Sequence, residues 1–302
     1  MNPRYTVEHL TRYAYTAPVS QSWQLARLTP RALGWQKLLS HALQIDPKPD
    51  ARHDTLDSFG NHVTHFGLHG AHRLLSVRMQ CMVEVGPRPK AEMPGHGGSL
   101  DSLRLPCSLR SVRETLRAHP TLDDLNPVRL AEPTPLVPFT EAARHYAAAA
   151  LAPERDWLEA VSALMHSIHA DFEFDATATT VTTSVDEVLQ HRRGVCQDFA
   201  HLMLACLRGH GLPARYVSGY LLTDPAPGQP RMLGVDASHA WVAAYCPPLG
   251  WVEFDPTNDQ LADERYITLA WGADFADVVP VRGVILGGGE QRLNVEVSVV
   301  PA

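Results

Sequence analysis

Lysine is scarce in this chain: of 26 basic residues only Lys37, Lys48 and Lys90 are lysine. The chain is therefore a poor amine donor for cross-linking to itself. Cysteine is sparse as well. Cys81, Cys107, Cys196, Cys206 and Cys246 form an odd, scattered set with no C-x-x-C pair. That pattern excludes a disulfide framework and argues against structural zinc. It reads as five free thiols in a reducing cytosol. Basic residues are outnumbered by 33 acidic ones, for a formal charge of −7. Such a balance excludes nucleic acid as a main partner, because phosphate binding needs a basic surface. No apolar run approaches ~18 residues, so no membrane span is predicted. The opening Met1-Asn2-Pro3-Arg4-Tyr5 lacks the basic-then-apolar pattern of a signal peptide. These absences together point to a cytoplasmic location. There is no internal repeat, no low-complexity tract and no D-x-D-x-D-G calcium loop.

What remains is ordinary globular composition, 45% hydrophobic and 20% charged over 302 residues. A chain of this length buries about three quarters of its unfolded surface and folds without metals or disulfides. Residues 1–100 read as β-rich. Arg4 to Tyr15 alternates before a turn-like Ala17-Pro18, and Ser58-Phe59-Gly60-Asn61 marks a turn. Val63–Leu68 and Leu74–Val85 suggest a hairpin around Gly70-Ala71. Gly86 to Ser99 holds three prolines and four glycines, the composition of a loop. Residues 101–137 are a proline-rich connecting segment, and residues 138–302 read as the core domain. Helices are predicted over Glu141–Leu151 and Pro153–Ala170. In the second, Trp157, Val161, Leu164 and Ile168 line one buried face. Cys196 to Leu207 is almost continuously apolar and reads as a buried helix closed by Gly209, Gly211 and Pro213. Strands follow at Ala214–Leu222, Ser238–Tyr245 and Trp251–Asp255. A final hairpin is predicted from Val278–Ile285 and Leu293–Val300.

The chemistry lies in the second half. Cys196 follows a glycine and opens the buried helix, where unpaired backbone N–H groups and the positive dipole end favour a thiolate. A thiolate is the nucleophile for acyl transfer, and the Cys196 backbone N–H is a ready donor to a tetrahedral oxyanion. His239 and Asp255 lie on two strands joined by a tight connection. With a loop over Cys246–Gly250, Tyr245 pairs with Trp251 and Val242 faces Phe254. His239 and Asp255 then share one face as diagonal neighbours, about 7–8 Å apart at the backbone. A loop shorter by one residue would put them on opposite faces. In the longer register His239 serves as base and then acid, and Asp255 fixes its tautomer.

Four motifs together carry a resemblance. These are Arg193-Gly194-Val195-Cys196-Gln197-Asp198-Phe199-Ala200-His201, Leu212-Pro213-Ala214-Arg215-Tyr216-Val217-Ser218-Gly219-Tyr220, Ser238-His239-Ala240-Trp241 and Phe254-Asp255-Pro256-Thr257. The chain resembles bacterial transglutaminase-like proteins, in the superfamily that includes papain-type cysteine proteases. Upstream, Tyr13-Ala14-Tyr15, Gln24-Leu25-Ala26-Arg27-Leu28-Thr29-Pro30-Arg31 and Asp57-Ser58-Phe59-Gly60-Asn61 resemble the β-rich region that precedes this core in bacteria. The resemblance implies an α+β fold: a buried helix on an antiparallel sheet, preceded by an N-terminal β-sandwich. It also implies a Cys196–His239–Asp255 triad. No cofactor and no metal are expected. Eukaryotic-type members use an upstream tryptophan as a second oxyanion donor. Trp157 falls on a buried helix face and does not suit that role, which leaves Gln190 as a substitute.

The expected activity is cysteine-dependent acyl transfer on a protein or peptide substrate through a thioester, with peptide or isopeptide hydrolysis preferred. Protein-glutamine transamidation is the alternative enzyme reading. A non-catalytic peptide-binding scaffold is the alternative outside enzymes. His62, His65, His69 and His72 would invite a metal on a helix, but on strands they diverge. His166 and His169 read as solvated or capping residues, and Asp198 as a carboxylate complementing the helix dipole.

Overall fold

The computed structural model describes residues 2–88, 107–118, 127–223, 238–247 and 249–302. Much of the Gly86–Ser99 loop and part of the proline-rich segment lie outside these residues. The first strand, β1 (Arg4–Ala26), organises the N-terminal half. It is flanked by β2 (Gln36–Asp46), β3 (Ala51–Leu56), β4 (His62–Leu68) and β5 (His72–Val85) in the order β2-β5-β1-β4-β3. The expected hairpin of Val63–Leu68 with Leu74–Val85 does not form, because β4 and β5 run in the same direction, one after the other, each antiparallel to β1. The turn-like Ala17-Pro18 is an irregularity inside β1, where its pairing with β5 shifts register between Ala14 and Val19. Proline is tolerated there because a bulge needs no ladder donor.

The last two strands return to this sheet. β13 (Val281–Gly287) pairs with Val19–Ala26 of β1, and β14 (Gln291–Pro301) pairs with Tyr5–Tyr15. The predicted final hairpin does not form: both strands pair with β1 and run on in the same direction along it, one after the other. The segment 138–302 does not hold together as one spatial unit. The reason is packing: Val281, Val297 and Val299 are buried with Tyr5, Val7 and Val77 in the N-terminal core.

The other sheet is β8 (Ala214–Leu221), β9 (Ser238–Cys246), β10 (Gly250–Asp255), β11 (Gln260–Leu261) and β12 (Tyr266–Gly272), ordered β11-β10-β9-β8-β12. Five helices occur among the described residues: α1 (Leu109–Ala118), α2 (Glu141–Ala147), α3 (Trp157–Asp171), α4 (Val185–His191) and α5 (Cys196–Gly209). Asp156 caps α3 by accepting from the N–H groups of Leu158 and Glu159, so that helix starts later than Pro153. Helix α5 is buried along nearly its whole length, against Tyr216, Ala240, Val242, Ala244 and Phe254 of the sheet. The fold is α+β, a helix-covered antiparallel core with a β-rich N-terminal region.

The two sheets are joined by specific bonds. The Gln36 side chain donates to Thr268 O and accepts from Thr268 N, both at 2.8 Å. Asn61 does the same with the Trp271 backbone, at 2.7 and 3.0 Å. The predicted turn before Asn61 is built by Asp57, whose Oδ1 accepts from Phe59 N and Asn61 N, while Gly60 takes φ 72°.

Candidate active site

Cys196 is the first residue of α5, and the chain entering it is pinned on both sides. β6 (Glu173–Phe174) and β7 (Arg193–Gly194) form a short parallel pair. Asp198, in the first turn of α5, turns its carboxylate back to accept from Val195 N at 2.8 Å and from Thr179 Oγ1 at 2.6 Å. This is a side-chain cap at the mouth of the helix. Burial pushes the Asp198 carboxyl up, and the bonds from Thr179 and Val195 oppose that. Gly194 permits the turn-back, because a Cβ there would lie 2.8 Å from Asp198 Oδ2 and 2.9 Å from its Cβ.

His239 and Asp255 come together as the longer hairpin register requires. Tyr245 pairs with Trp251, Val242 with Phe254 and Cys246 with Gly250. His239 Nε2 donates to Asp255 Oδ2 at 2.7 Å. Cys196 lies near enough to the His239 imidazole to act on its protonation. Burial alone would lower the His239 pKa, but the bonds and charges of Asp255 and Cys196 outweigh it and raise the imidazole to about 10. The ring stacks on Trp241, with centroids 6.0 Å apart, so this tryptophan covers the face of the imidazole. Trp241 is itself fixed by donating to Glu253 Oε2 at 2.9 Å, and Arg88 Nε donates to the same oxygen at 3.2 Å.

Asp255 is fully buried and satisfied by more than its histidine. Its Oδ1 accepts from the backbone N–H groups of Thr257 (2.9 Å) and Asn258 (3.3 Å). Its Oδ2 also accepts from Asn258 Nδ2 at 2.7 Å and from Tyr266 Oη at 2.6 Å. Burial would push this carboxyl up, and the bonds from His239, Asn258 and Tyr266 hold it below the usual carboxylate range. Sequence reading missed Asn258 and Tyr266. Asn258 had a local signal, since an aspartate ending a strand and followed by Pro-Thr-Asn can bond its own turn. Tyr266 had none, because it arrives on a separate strand.

The remaining candidates fall elsewhere. Trp157 is fully buried and packs edge-on against Phe254, away from an oxyanion role. Gln190 is exposed in the last turn of α4. His201 is buried within α5, accepts from Phe275 N at 3.2 Å and is pushed down to about 4 by burial, so it stays neutral. His166 and His169 on α3 reach the turn after Asp255, where they bond Asp259 and the Thr257 carbonyl. Asp259 is a partner the linear sequence did not suggest. His65, His69 and His72 each have a different neighbour: Thr55, Trp23 and the Gly70 carbonyl.

Residues 144–256, which span all three of Cys196, His239 and Asp255, match the family described as the transglutaminase-like superfamily. Residues 5–84 match the bacterial transglutaminase-like N-terminal region. The chain belongs to the transglutaminase-like superfamily. A Mycobacterium tuberculosis protein is 42% identical over 305 residues, covering 99% of this chain and 93% of its own length. A protein-glutamine gamma-glutamyltransferase of Pseudomonas aeruginosa is 39% identical over 88 residues, 28% of this chain and 13% of that protein. Among solved structures, a candidate cysteine protease from Cytophaga hutchinsonii superposes with a TM-score of 0.76 at 19% identity, covering 100% of this chain and 91% of the other. That likeness shows a shared fold over the whole chain, N-terminal sheet included. Superfamily membership gives this site a chemical class, cysteine-based acyl transfer.

Proposed function

We propose that the protein is a cysteine-dependent amidase, a peptidase or isopeptidase, working through a Cys196–His239–Asp255 triad. The carrying observation is His239, which donates to the buried Asp255 and lies beside Cys196, near enough for the sulfur to help raise the imidazole. In this reading the Cys196 sulfur attacks the amide carbonyl. The oxyanion takes the N–H of the first α5 turn, where no intrahelical carbonyl claims it. His239 passes its proton to the departing amine, and the thioester goes to water. Asp255 holds the ring so that its other nitrogen faces the thiol, and it stabilises the charged imidazole. The whole-chain likeness to a candidate cysteine protease supports hydrolysis.

Transamidation is the second reading, and the partial match to a protein-glutamine gamma-glutamyltransferase favours it. The experiment supplies a glutamine-containing peptide with and without a primary amine. It follows amide loss and amine incorporation, with Cys196→Ala as control. Hydrolysis outpacing incorporation is expected. Incorporation outpacing hydrolysis would reverse the two readings, and turnover by Cys196→Ala would remove both.

A further inference from the structure

Two cysteines outside the triad lie together. The Sγ atoms of Cys107 and Cys246 are 3.5 Å apart although 139 residues separate them in sequence. Both are held by backbone bonds. The Cys107 carbonyl accepts from Trp157 N at 2.8 Å, and Ser108 bridges to Asp156 at the start of α3. Cys246 ends β9, pairs with Gly250 and accepts from Leu249 N at 2.9 Å. The two sulfurs therefore face each other from anchored chains, and a disulfide needs an approach to only about 2 Å.

The pair is asymmetric. Cys107 is half-buried and Cys246 is buried. The hydrogen bond from the Cys246 thiol draws Cys107 below the ordinary thiol range, against burial and the nearby Asp156. The same bond, together with burial, pushes Cys246 up. An accessible sulfur that ionises first, backed by a buried one that keeps its proton, is the arrangement of an attacking and a resolving thiol. The other cysteines differ. Cys81 is buried and pushed up to about 12, Cys206 is buried and donates to the Ala143 carbonyl, and Cys196 faces His239.

We propose that Cys107 and Cys246 form a dithiol–disulfide site, Cys107 attacking and Cys246 resolving, whose oxidant is a low-molecular-weight disulfide. The Cys107 thiolate attacks one sulfur of the oxidant and releases one small thiolate, leaving a mixed disulfide. Cys246 gives up its proton and attacks the Cys107 sulfur, releasing the second small thiol. Two protein thiols become one disulfide, and one small disulfide is reduced to two thiols. The new bond ties the start of α1 to the β9–β10 hairpin, at the opposite end of β9 from His239.

The test uses the full chain carrying Cys196→Ala, which removes the mixed disulfide Cys196 would itself form. The probe is oxidised glutathione, read by thiol counting after denaturation and by peptide mapping. Five cysteines less Cys196 leave four thiols, and the disulfide leaves two. The map should join Cys107 to Cys246, and dithiothreitol should restore all four. In Cys246→Ser, Cys107 should instead accumulate a stable glutathione adduct. In Cys107→Ser, Cys246 should stay free. The same map on the unsubstituted chain removes any dependence on how the variants fold. Cys107 and Cys246 both remaining alkylatable, or Cys107 keeping glutathione while Cys246 is present, would overturn the proposal. Neither result bears on the triad reading.

Discussion

Asp255 accepts five hydrogen bonds while fully buried, and its bond and charge, with the contribution of Cys196, raise the His239 imidazole. The imidazole rises from 6.5 to about 10, so the folded state holds this proton more tightly than the unfolded chain does. The sign follows. The stability it contributes is complete below about 6.5 and is lost as pH rises through about 10. In the proposed mechanism the same proton goes to the leaving amine, so kcat/KM should fall on the alkaline side near pH 10. Asp255→Asn removes the charge and disturbs the tautomer. It should lower kcat/KM by about 10²- to 10⁴-fold and move the alkaline limb towards the ordinary histidine range. A pH–rate profile of both proteins, with His239 titrated by NMR, checks this. An unmoved limb would show that Asp255 does not control the imidazole.

At the scale of elements, the position of Cys196, the proposed nucleophile, depends on a helix start only glycine permits. Asp198 folds back over Gly194 to cap α5, and the space a Cβ would need is already filled by that carboxylate. Gly194→Ala should displace either the cap or the chain leading into Cys196. The expected cost is about 1–3 kcal/mol, as for other overpacked sites. It should appear as a lower Tm and slower Cys196 alkylation than in the parent. Asp198→Ala should lose about 1 kcal/mol through the cap alone. In the double variant the glycine penalty should shrink, because the clashing group is gone. Additive losses measured by chemical denaturation would rule out this coupling. The hairpin β9–β10 was legible for a related reason. A connection over Cys246–Gly250 sets the register that pairs Val242 with Phe254 and leaves His239 beside Asp255.

At the scale of the whole molecule, the chain begins and ends in one sheet. β13 and β14 cover one long edge of β1, and Val281, Val297 and Val299 are buried there. Ending the chain at residue 280 exposes that edge and removes those three side chains together with the burial they provide. At about 1.5–3 kcal/mol each, the loss is comparable with the whole stability of an ordinary domain. The truncated chain should lose soluble yield and cooperative unfolding in both halves, because Gln36 and Asn61 bond the N-terminal region to β12. Circular dichroism melts of the two lengths check it. An intact catalytic core after truncation would show that the two sheets fold independently.

The primary structure alone carried the helix that Cys196 opens, the register joining His239 to Asp255, and the turn at Asp57–Asn61. Each is encoded within a few residues of neighbouring chain, through side-chain period, helix-end chemistry or turn residues. Only the tertiary structure decided that β4 and β5 run end to end along β1, that the C-terminal strands close the first sheet and that Tyr266 completes the Asp255 shell. It also decided that Cys107 meets Cys246. These arrangements depend on which distant surfaces exclude water from one another, and no local pattern records that choice.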